Sequence, residues 1–222
     1  MTGLSKFIRR FSDYEEFCFI IFLLLGPPVG SELWMRYRSE HVQFSNFHLI
    51  RLTVAEVVIL AIILAIGKIR GWSLATFGAK ISWKETVAGV LLGIGGLIVL
   101  YVGYRVAYAI YPEAIKFSVL PLAMPVILFN SLINPIFEEF LEAGYVIMFL
   151  QRFGMWPAVM AGAAIRFILH IYQGVDGALA VSAFGVLFGL VYWRRRQLLP
   201  LVIGHAMCDF ILLLANSSHA GH

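Results

Sequence analysis

Three carboxylates lie close together in a stretch of the chain that is otherwise almost entirely apolar. They are Glu138, Glu139 and Glu142. A charge at bilayer depth costs about 2.5–3.5 kcal/mol on insertion scales, so an ionisable residue there indicates a functional site. On an α-helix Glu138 and Glu142 share one face, and Glu139 lies about 100° around from it. This run therefore predicts a buried polar site.

Two later segments carry ionisable pairs at helical spacing. Arg166 and His170 are four residues apart, and His205 and Asp209 repeat that spacing near the end of the chain. Residues four apart lie on the same face of a helix, so each pair can face the same interior. The three segments are expected to bring their polar faces together in one site.

The residue types in this set suit the activation of a water molecule. One of Glu138 and Glu139 can act as a general base while its neighbour is paired or protonated. Two imidazoles can orient the water or donate hydrogen bonds to an oxyanion, which completes the requirements of peptide-bond hydrolysis. Covalent catalysis is disfavoured because Ser131 and Ser182 lie outside these motifs, and Cys208 falls on a different helix face from His205.

Composition predicts the elements that must position these residues. The 222 residues are 60% hydrophobic and only 14% charged, whereas soluble domains average about 25% charged residues. We therefore expect an all-α polytopic membrane protein, a bundle of about seven (six to eight) transmembrane helices with a buried polar site. It forms a single transmembrane domain over 1–222, with predicted spans near 17–35, 52–67, 86–111, 119–150, 155–173, 177–193 and 198–216.

Prolines and glycines modify this expectation locally. Gly26-Pro27-Pro28 should kink or break the first span. Pro121, Pro125 and Pro135 predict a bent or re-entrant entry to the fourth span, with the glutamate-bearing helix beginning near Pro135; an eighth span hidden there is the alternative. The small-residue pairs Gly89/Gly93 and Gly185/Gly189 should pack helices closely within the monomer.

Loop charges predict the orientation. One side of a seven-span arrangement holds most of the cations, and cytoplasmic loops are enriched in Lys and Arg. That side holds Lys6, Arg9, Arg10, Lys68, Arg70, Lys80, Lys84, Arg152, Arg194, Arg195 and Arg196, against Arg36, Arg38, Arg51 and Lys116 on the other. The expectation is a multi-pass protein of a prokaryotic inner membrane with a cytoplasmic N-terminus. Nucleic acid is not an expected partner, because the cations lie in short loops between spans.

The three motifs together resemble one family. Glu-Glu-x-x-x-x-Gly (138–144), Arg-x-x-x-His-x-Tyr-Gln-Gly (166–174) and His-x-x-x-Asp (205–209) occur in the order seen in the CPBP family, the CAAX-protease and bacteriocin-processing intramembrane glutamic proteases. The resemblance covers about 130–213, the predicted catalytic core.

The resemblance implies a membrane endopeptidase and a role for each matched residue. Glu138 would activate the attacking water, and Glu139 would assist it. His170 would hold the water or the substrate carbonyl, and His205 with Asp209 would form the oxyanion side.

Two departures from the family pattern bear on the site. Ala143 stands where the family usually has Arg, so activity could be reduced, and we expect Arg166 or Arg105 to supply the missing counter-charge. Asp209 stands where Asn is common, so it either orients His205 or is itself protonated.

Three further residues are supporting candidates. Glu142 either lines the cavity or balances a charge. Tyr172 and Gln173 either shape the site or only pack against neighbouring side chains.

Other functions remain open at this point. A catalytic zinc held by Glu138, His170 and His205 is the mechanistic alternative, although no cofactor is required. A non-catalytic peptide-binding or immunity-type protein and a proton-coupled transporter are the alternatives from other classes. The expected partners are a hydrophobic or lipidated peptide or protein substrate and membrane lipids. No feature of the sequence sets an oligomeric state.

Overall fold

The chain forms a bundle of helices in the computed structural model, which describes residues 8, 10–37, 43–110 and 118–219. The helices are α1 (Asp13–Tyr37), α2 (Asn46–Arg70), α3 (Trp83–Ile110), α4 (Met124–Glu138), a π-helix (Glu139–Val146), α5 (Ile147–Leu150), α6 (Met155–Leu169), α7 (Val175–Arg195) and α8 (Leu199–His219). Because α4, the π-helix and α5 follow one another without a break, these make seven long helical stretches. Three short 3-10 helices (Leu74–Phe77, Gln151–Phe153 and Ile171–Gln173) are also present among the described residues. The predicted helical bundle is confirmed.

Four of these helices can cross a membrane by their length and composition. They are α2, α3, α7 and most of α8, each at least 20 residues long, with mean hydropathies from 1.7 to 2.6. About 20 apolar residues span the hydrocarbon core of a bilayer. Helix α6 is also apolar but is shorter. The protein is therefore an integral membrane protein.

Contacts between the helix ends define two opposite ends of the bundle. At the first, which we call the basic end, Arg70 on α2 pairs with Asp13 on α1 at 2.7 Å, and Arg195 on α7 pairs with Glu85 on α3 at 2.9 Å. The Leu198 amide before α8 donates to the Gly78 carbonyl at 3.1 Å. The helices thus alternate in direction, as seven consecutive spans require.

The opposite end, which we call the strand end, is held by a strand pair and by a hydrogen bond from the main chain to a side chain. Strands β1 (Gln43–Phe44) and β2 (Ser118–Val119) pair in parallel. The Leu122 amide donates to Ser217 Oγ at 2.7 Å, which ties the segment before α4 to the end of α8.

Four of the charged residues that predicted the orientation lie outside the described residues. They are Lys6, Arg9, Arg38 and Lys116. The cytoplasmic N-terminus stays a prediction.

Prolines interrupt the helices less than predicted. Helix α4 begins at Met124, with Pro125 in its first turn, and continues through Pro135, so the predicted helix start near Pro135 is wrong. Proline is accepted in a first turn because the amide it lacks has no intrahelical acceptor there. One helical stretch runs from Met124 to Leu150, which leaves no eighth span within it. Helix α1 also continues through Gly26, Pro27 and Pro28, so a break there is wrong, and a kink stays a prediction.

Glycines allow two helix pairs to approach closely. A Cβ on Gly93 of α3 would lie 2.9 Å from the Gly204 carbonyl oxygen of α8, and one on Gly89 would lie 2.7 Å from Ile203. On α7, Gly189 faces Val159 of α6 in the same way. The predicted packing within the monomer is confirmed. These contacts bring α8 and α6, which carry the two histidine motifs, against the rest of the bundle.

Candidate active site

The three glutamates lie where the helix changes from α to π. Glu138 is the last residue of α4, and Glu139 and Glu142 belong to the π-helix. A π-helix bonds residue i to i+5, and such segments often occur at functional sites. The wider turn changes the α-helical faces assumed from the sequence. All three carboxylates lie within 3.8 Å of one guanidinium, and Glu142 shares the buried side with Glu139 rather than with Glu138.

Arg166 on α6 is the cation at the centre of this group. Its Nη2 donates to Glu139 Oε1 at 2.8 Å, and its Nε lies 2.6 Å from Glu142 Oε2. The third carboxylate is farther away, with 3.8 Å between Nη1 and Glu138 Oε2. Arg166, Glu139 and Glu142 are almost completely excluded from solvent. Buried charges require such pairing, because an unpaired ion loses its hydration without compensation.

Gly185 on α7 makes room for the arginine. A Cβ at this position would lie 3.1 Å from Arg166 Cδ. The Phe184 ring covers the guanidinium from the same helix, with 5.3 Å between Cζ and the ring centroid. Helix α7 therefore holds the cation against the glutamates, although it supplies no charge to this group.

His205 on α8 contacts Glu139, which Arg166 also binds, and lies close to two further carboxylates. Its Nδ1 lies 2.7 Å from Glu139 Oε1, and its Nε2 lies 3.4 Å from Asp209 Oδ1 and 3.9 Å from Glu138 Oε2. Asn134 Nδ2 donates to Asp209 Oδ2 at 3.0 Å. We call Glu139, Glu142, Arg166 and His205 the buried ion cluster.

A cavity of about 460 Å³ lies on one side of this cluster. Glu138, His170 and Asp209 line it, whereas the four residues of the buried ion cluster do not. We call these three lining residues the cavity face. The two adjacent glutamates thus occupy different environments, with Glu138 toward the cavity and Glu139 fully buried behind it.

His170 is held by the end of the helix that precedes it. It caps α6, and its Nδ1 lies 2.9 Å from the Arg166 carbonyl oxygen. A carbonyl can only accept a hydrogen bond, so Nδ1 carries the proton and Nε2 of the neutral ring is an acceptor. His170 and Arg166 were expected to face the same interior. In the structure only His170 reaches the cavity, because α6 ends at Leu169.

The supporting candidates fall into two groups. Tyr172 and Gln173 line the cavity, and Gln173 Nε2 donates to the Tyr172 hydroxyl at 2.9 Å. Glu142 does not line it and instead pairs with Arg166, so it balances charge.

Of the two candidate counter-cations, Arg166 makes the ion pairs. The alternative, Arg105, is wrong, because it is exposed on α3 and is not a partner of the glutamates among the described residues.

Possible nucleophiles and metal ligands were also located. Ser182 Oγ donates to the Ala163 carbonyl, and buried Cys208 contacts the Gly93 carbonyl at 3.4 Å. Neither these two side chains nor Ser131 lines the cavity. Within the described ranges, no group of three or more His, Cys, Asp or Glu side chains is placed to hold a metal ion.

Several polar residues that line the cavity were not proposed from the sequence, among them Glu56 and Asn134. Glu56 on α2 is buried and lines the cavity, and its Oε2 has no hydrogen-bond partner among the described residues. Asn134 lies one turn before Glu138 on the same helix. A lone carboxylate within the span 52–67, and an amide four residues before Glu138, were the signals that could have identified them.

The fold and site together define a class: an all-helical membrane protein with a buried cluster of Glu, Arg and His beside an internal cavity. Residues 120–211 match the family model described as "Type II CAAX prenyl endopeptidase Rce1-like", which belongs to the CPBP family. The resemblance inferred from the three motifs is thereby confirmed, and the family implies a peptidase. No curated protein and no solved structure matches the chain.

Proposed function

We propose that the chain is an intramembrane glutamic-type endopeptidase that hydrolyses a peptide bond of a membrane-associated or lipidated peptide or protein. One observation carries the proposal. Glu138, His170 and Asp209 face a single cavity, while Glu139 is held behind them by Arg166 and His205. In this proposal Glu138 is the base, His170 accepts a proton of the water, and Asp209 belongs to the oxyanion side.

Glu138 is the general base of this proposal. Its carboxylate takes a proton from a water molecule, and the water oxygen adds to the carbonyl carbon of the scissile bond. His170 Nε2 accepts the second hydrogen of that water and so orients it. When the tetrahedral intermediate collapses, the C–N bond breaks and the proton passes from Glu138 to the leaving amine.

His205 and Asp209 form the oxyanion side. Nδ1–H of His205 donates to Glu139, which turns Nε2 toward Asp209 and Glu138. An ionised Asp209 only accepts hydrogen bonds, so the donor to the oxyanion is a protonated Asp209, which lines the cavity. Asn134 fixes the other oxygen of Asp209. Glu139 acts as a positioning residue through His205, with Arg166 balancing its charge.

The cavity and the family support the proposed substrate class. Apolar side chains of α1, α2 and α8 line the cavity beside the acidic groups, among them Leu24, Leu52 and Leu212. This lining suits a hydrophobic peptide segment or an attached lipid. Membrane lipids surround the protein, and neither a cofactor nor nucleic acid takes part in the proposed reaction.

Cleavage by the purified full chain in detergent tests the proposal. The substrates are prenylated CaaX peptides, the same peptides without the lipid, and hydrophobic peptides of mixed sequence, with products identified by mass spectrometry. We expect cleavage by the wild type and by Glu85→Gln, a carboxylate-to-amide control outside the site, and none by Glu138→Gln. Binding without cleavage would favour a peptide-binding protein, and no cleavage of any substrate would contradict the proposal.

A chelator experiment separates this mechanism from zinc catalysis. The glutamic mechanism predicts full activity after treatment with 1,10-phenanthroline and EDTA. Loss of activity that added Zn²⁺ restores would instead support the alternative in which Glu138, His170 and His205 hold a metal.

A further inference from the structure

The described basic residues near the helix ends are concentrated at one end of the bundle. The basic end carries Arg10, Lys68, Arg70, Lys80, Lys84, Arg152, Arg194, Arg195 and Arg196, whereas the strand end carries Arg36 near the end of α1, Arg51, and Arg105 near the end of α3. Contacts across the bundle fix which helix ends belong together. The folded chain therefore has more basic residues at the basic end than at the strand end, as the loop charges of the sequence predict.

The cavity occupies the half of the bundle next to the strand end. On α2 its lining lies between His48 and Ile59, in the first half of the helix, and on α8 between Asp209 and Asn216, in the second half. Phe44 of β1 and Val119 of β2 line it as well. Polar side chains toward that end include His48, Arg51, Tyr172, Gln173 and Asn216. Glu138 thus lies at the inner end of the cavity, near the middle of the chain's fourth helical stretch.

The other half of the bundle is closed by packed aromatic rings. Beyond Glu138, every residue of the π-helix is buried. The Phe140 ring contacts Phe77 with centroids 4.8 Å apart, and Tyr145 contacts Trp72 at 5.0 Å. The cavity lining includes none of these four rings. A peptide approaching from the basic end would meet this packing before it reached the carboxylate.

We propose that the substrate reaches the site from the non-cytoplasmic side of the membrane. Cytoplasmic loops carry the excess of Lys and Arg, which places the basic end in the cytoplasm and the strand end, with the cavity, on the opposite side. If the proposed hydrolysis is correct, the substrate is a membrane-anchored peptide whose scissile bond is presented from the non-cytoplasmic face. Because the aromatic packing lies between the basic end and the cavity, the proposal predicts that a tail anchored in the cytoplasmic leaflet is not cleaved.

Cysteine labelling tests the orientation without requiring activity. Cys18 is exposed and free, so it is replaced by Ser, whereas Cys208 is buried and stays. Single cysteines are then introduced as Leu120→Cys and Asn216→Cys toward the strand end, and as Lys80→Cys and Lys84→Cys at the basic end. In intact bacterial cells, a membrane-impermeant maleimide should label the first pair, and the second pair only after permeabilisation. Labelling of the lysine positions in intact cells would overturn the proposal.

A cleavage experiment tests the same proposal on the substrate. Two model peptides share one apolar membrane anchor and one reporter sequence, and differ only in the side of the membrane on which the reporter lies. In cells we expect at least tenfold more cleavage of the outward-facing peptide. In detergent both peptides should be cleaved equally. Cleavage of neither in detergent would contradict the proposed hydrolysis itself, whereas preferential cleavage of the inward-facing peptide in cells would overturn only the direction of access.

Discussion

The cavity face and the buried ion cluster contain the same kinds of side chain in different surroundings. On the cavity face, Glu138 lies 3.8 Å from the nearest guanidinium nitrogen of Arg166. In the buried ion cluster, Glu139 has Arg166 and His205 within 2.8 Å of one oxygen. The two adjacent carboxylates thus differ in their ion pairs, and in the proposed mechanism Glu138 is the general base whereas Glu139 positions His205. Loss of the first should affect the reaction, and loss of the second should affect the fold.

The largest effect is expected for Glu138→Gln. A general base contributes about 10²–10⁴-fold to a rate, so cleavage should fall by that factor. The amide keeps the shape, and the distant contact with Arg166 contributes little to folding. Parallel assays of peptide cleavage and thermal unfolding in detergent check both statements. A large loss of stability with this variant would remove the distinction between the two regions.

Arg166→Gln should act mainly on folding. Removing one partner of a buried ion pair costs about 3–5 kcal/mol, because the remaining charge is buried without compensation. Thermal unfolding measures the loss. The matched control is Arg195→Gln, which removes a partly exposed pair with Glu85 and should cost no more than about 1 kcal/mol. Adding Glu139→Gln and Glu142→Gln to Arg166→Gln should restore part of the stability, and no recovery would argue against uncompensated charge as the cause.

Gly185→Val should disturb the arginine without changing any charge. The new side chain would overlap Arg166 Cδ and Ala163, and overpacking of this kind costs about 1–3 kcal/mol. Since Arg166 would shift away from the glutamates, cleavage should fall as well. Gly95→Val on α3 is the control, because a Cβ there has a single neighbour at 3.9 Å. Equal effects of the two variants would show that Gly185 has no special relation to the site.

Glu56→Gln should have the smallest effect of the four. Glu56 lines the cavity but is absent from the ion pairs of the described residues. Its replacement should change cleavage by less than about tenfold, or about 1.4 kcal/mol in the barrier. Steady-state assays on one peptide would measure kcat and KM separately. An effect as large as that of Glu138→Gln would place a second essential carboxylate on the cavity face.

The sequence was most informative about charged and polar residues that lie in apolar spans, because burying such groups costs free energy. Glu138, Glu139, Arg166, His170, His205 and Asp209 could each be identified because charged and polar groups are rare in apolar spans. The same reasoning applied to Glu56, which was overlooked because it is a single carboxylate without a neighbouring motif. The boundaries of the predicted core, 130–213, and the catalytic role of each residue stay predictions.

The helix geometry at the glutamates could not be predicted. Proline patterns suggested a helix beginning near Pro135, whereas the helix begins at Met124 and widens into a π-helix after Glu138. Choosing i→i+5 bonding over i→i+4 depends on how the segment packs. Gly162 of α6 contributes to this packing, because a Cβ there would lie 2.9 Å from the Glu142 carbonyl oxygen.

The sequence by itself determined that this is a helical membrane protein with a costly set of Glu, Arg, His and Asp side chains, because hydropathy and charge are local properties of the chain. Only the tertiary structure decided which glutamate faces the cavity and which is bound by Arg166. It also decided that Arg105 lies outside the site, and that the cavity is in the half away from the basic end. These features depend on distances between helices far apart in sequence, and those distances are set by packing.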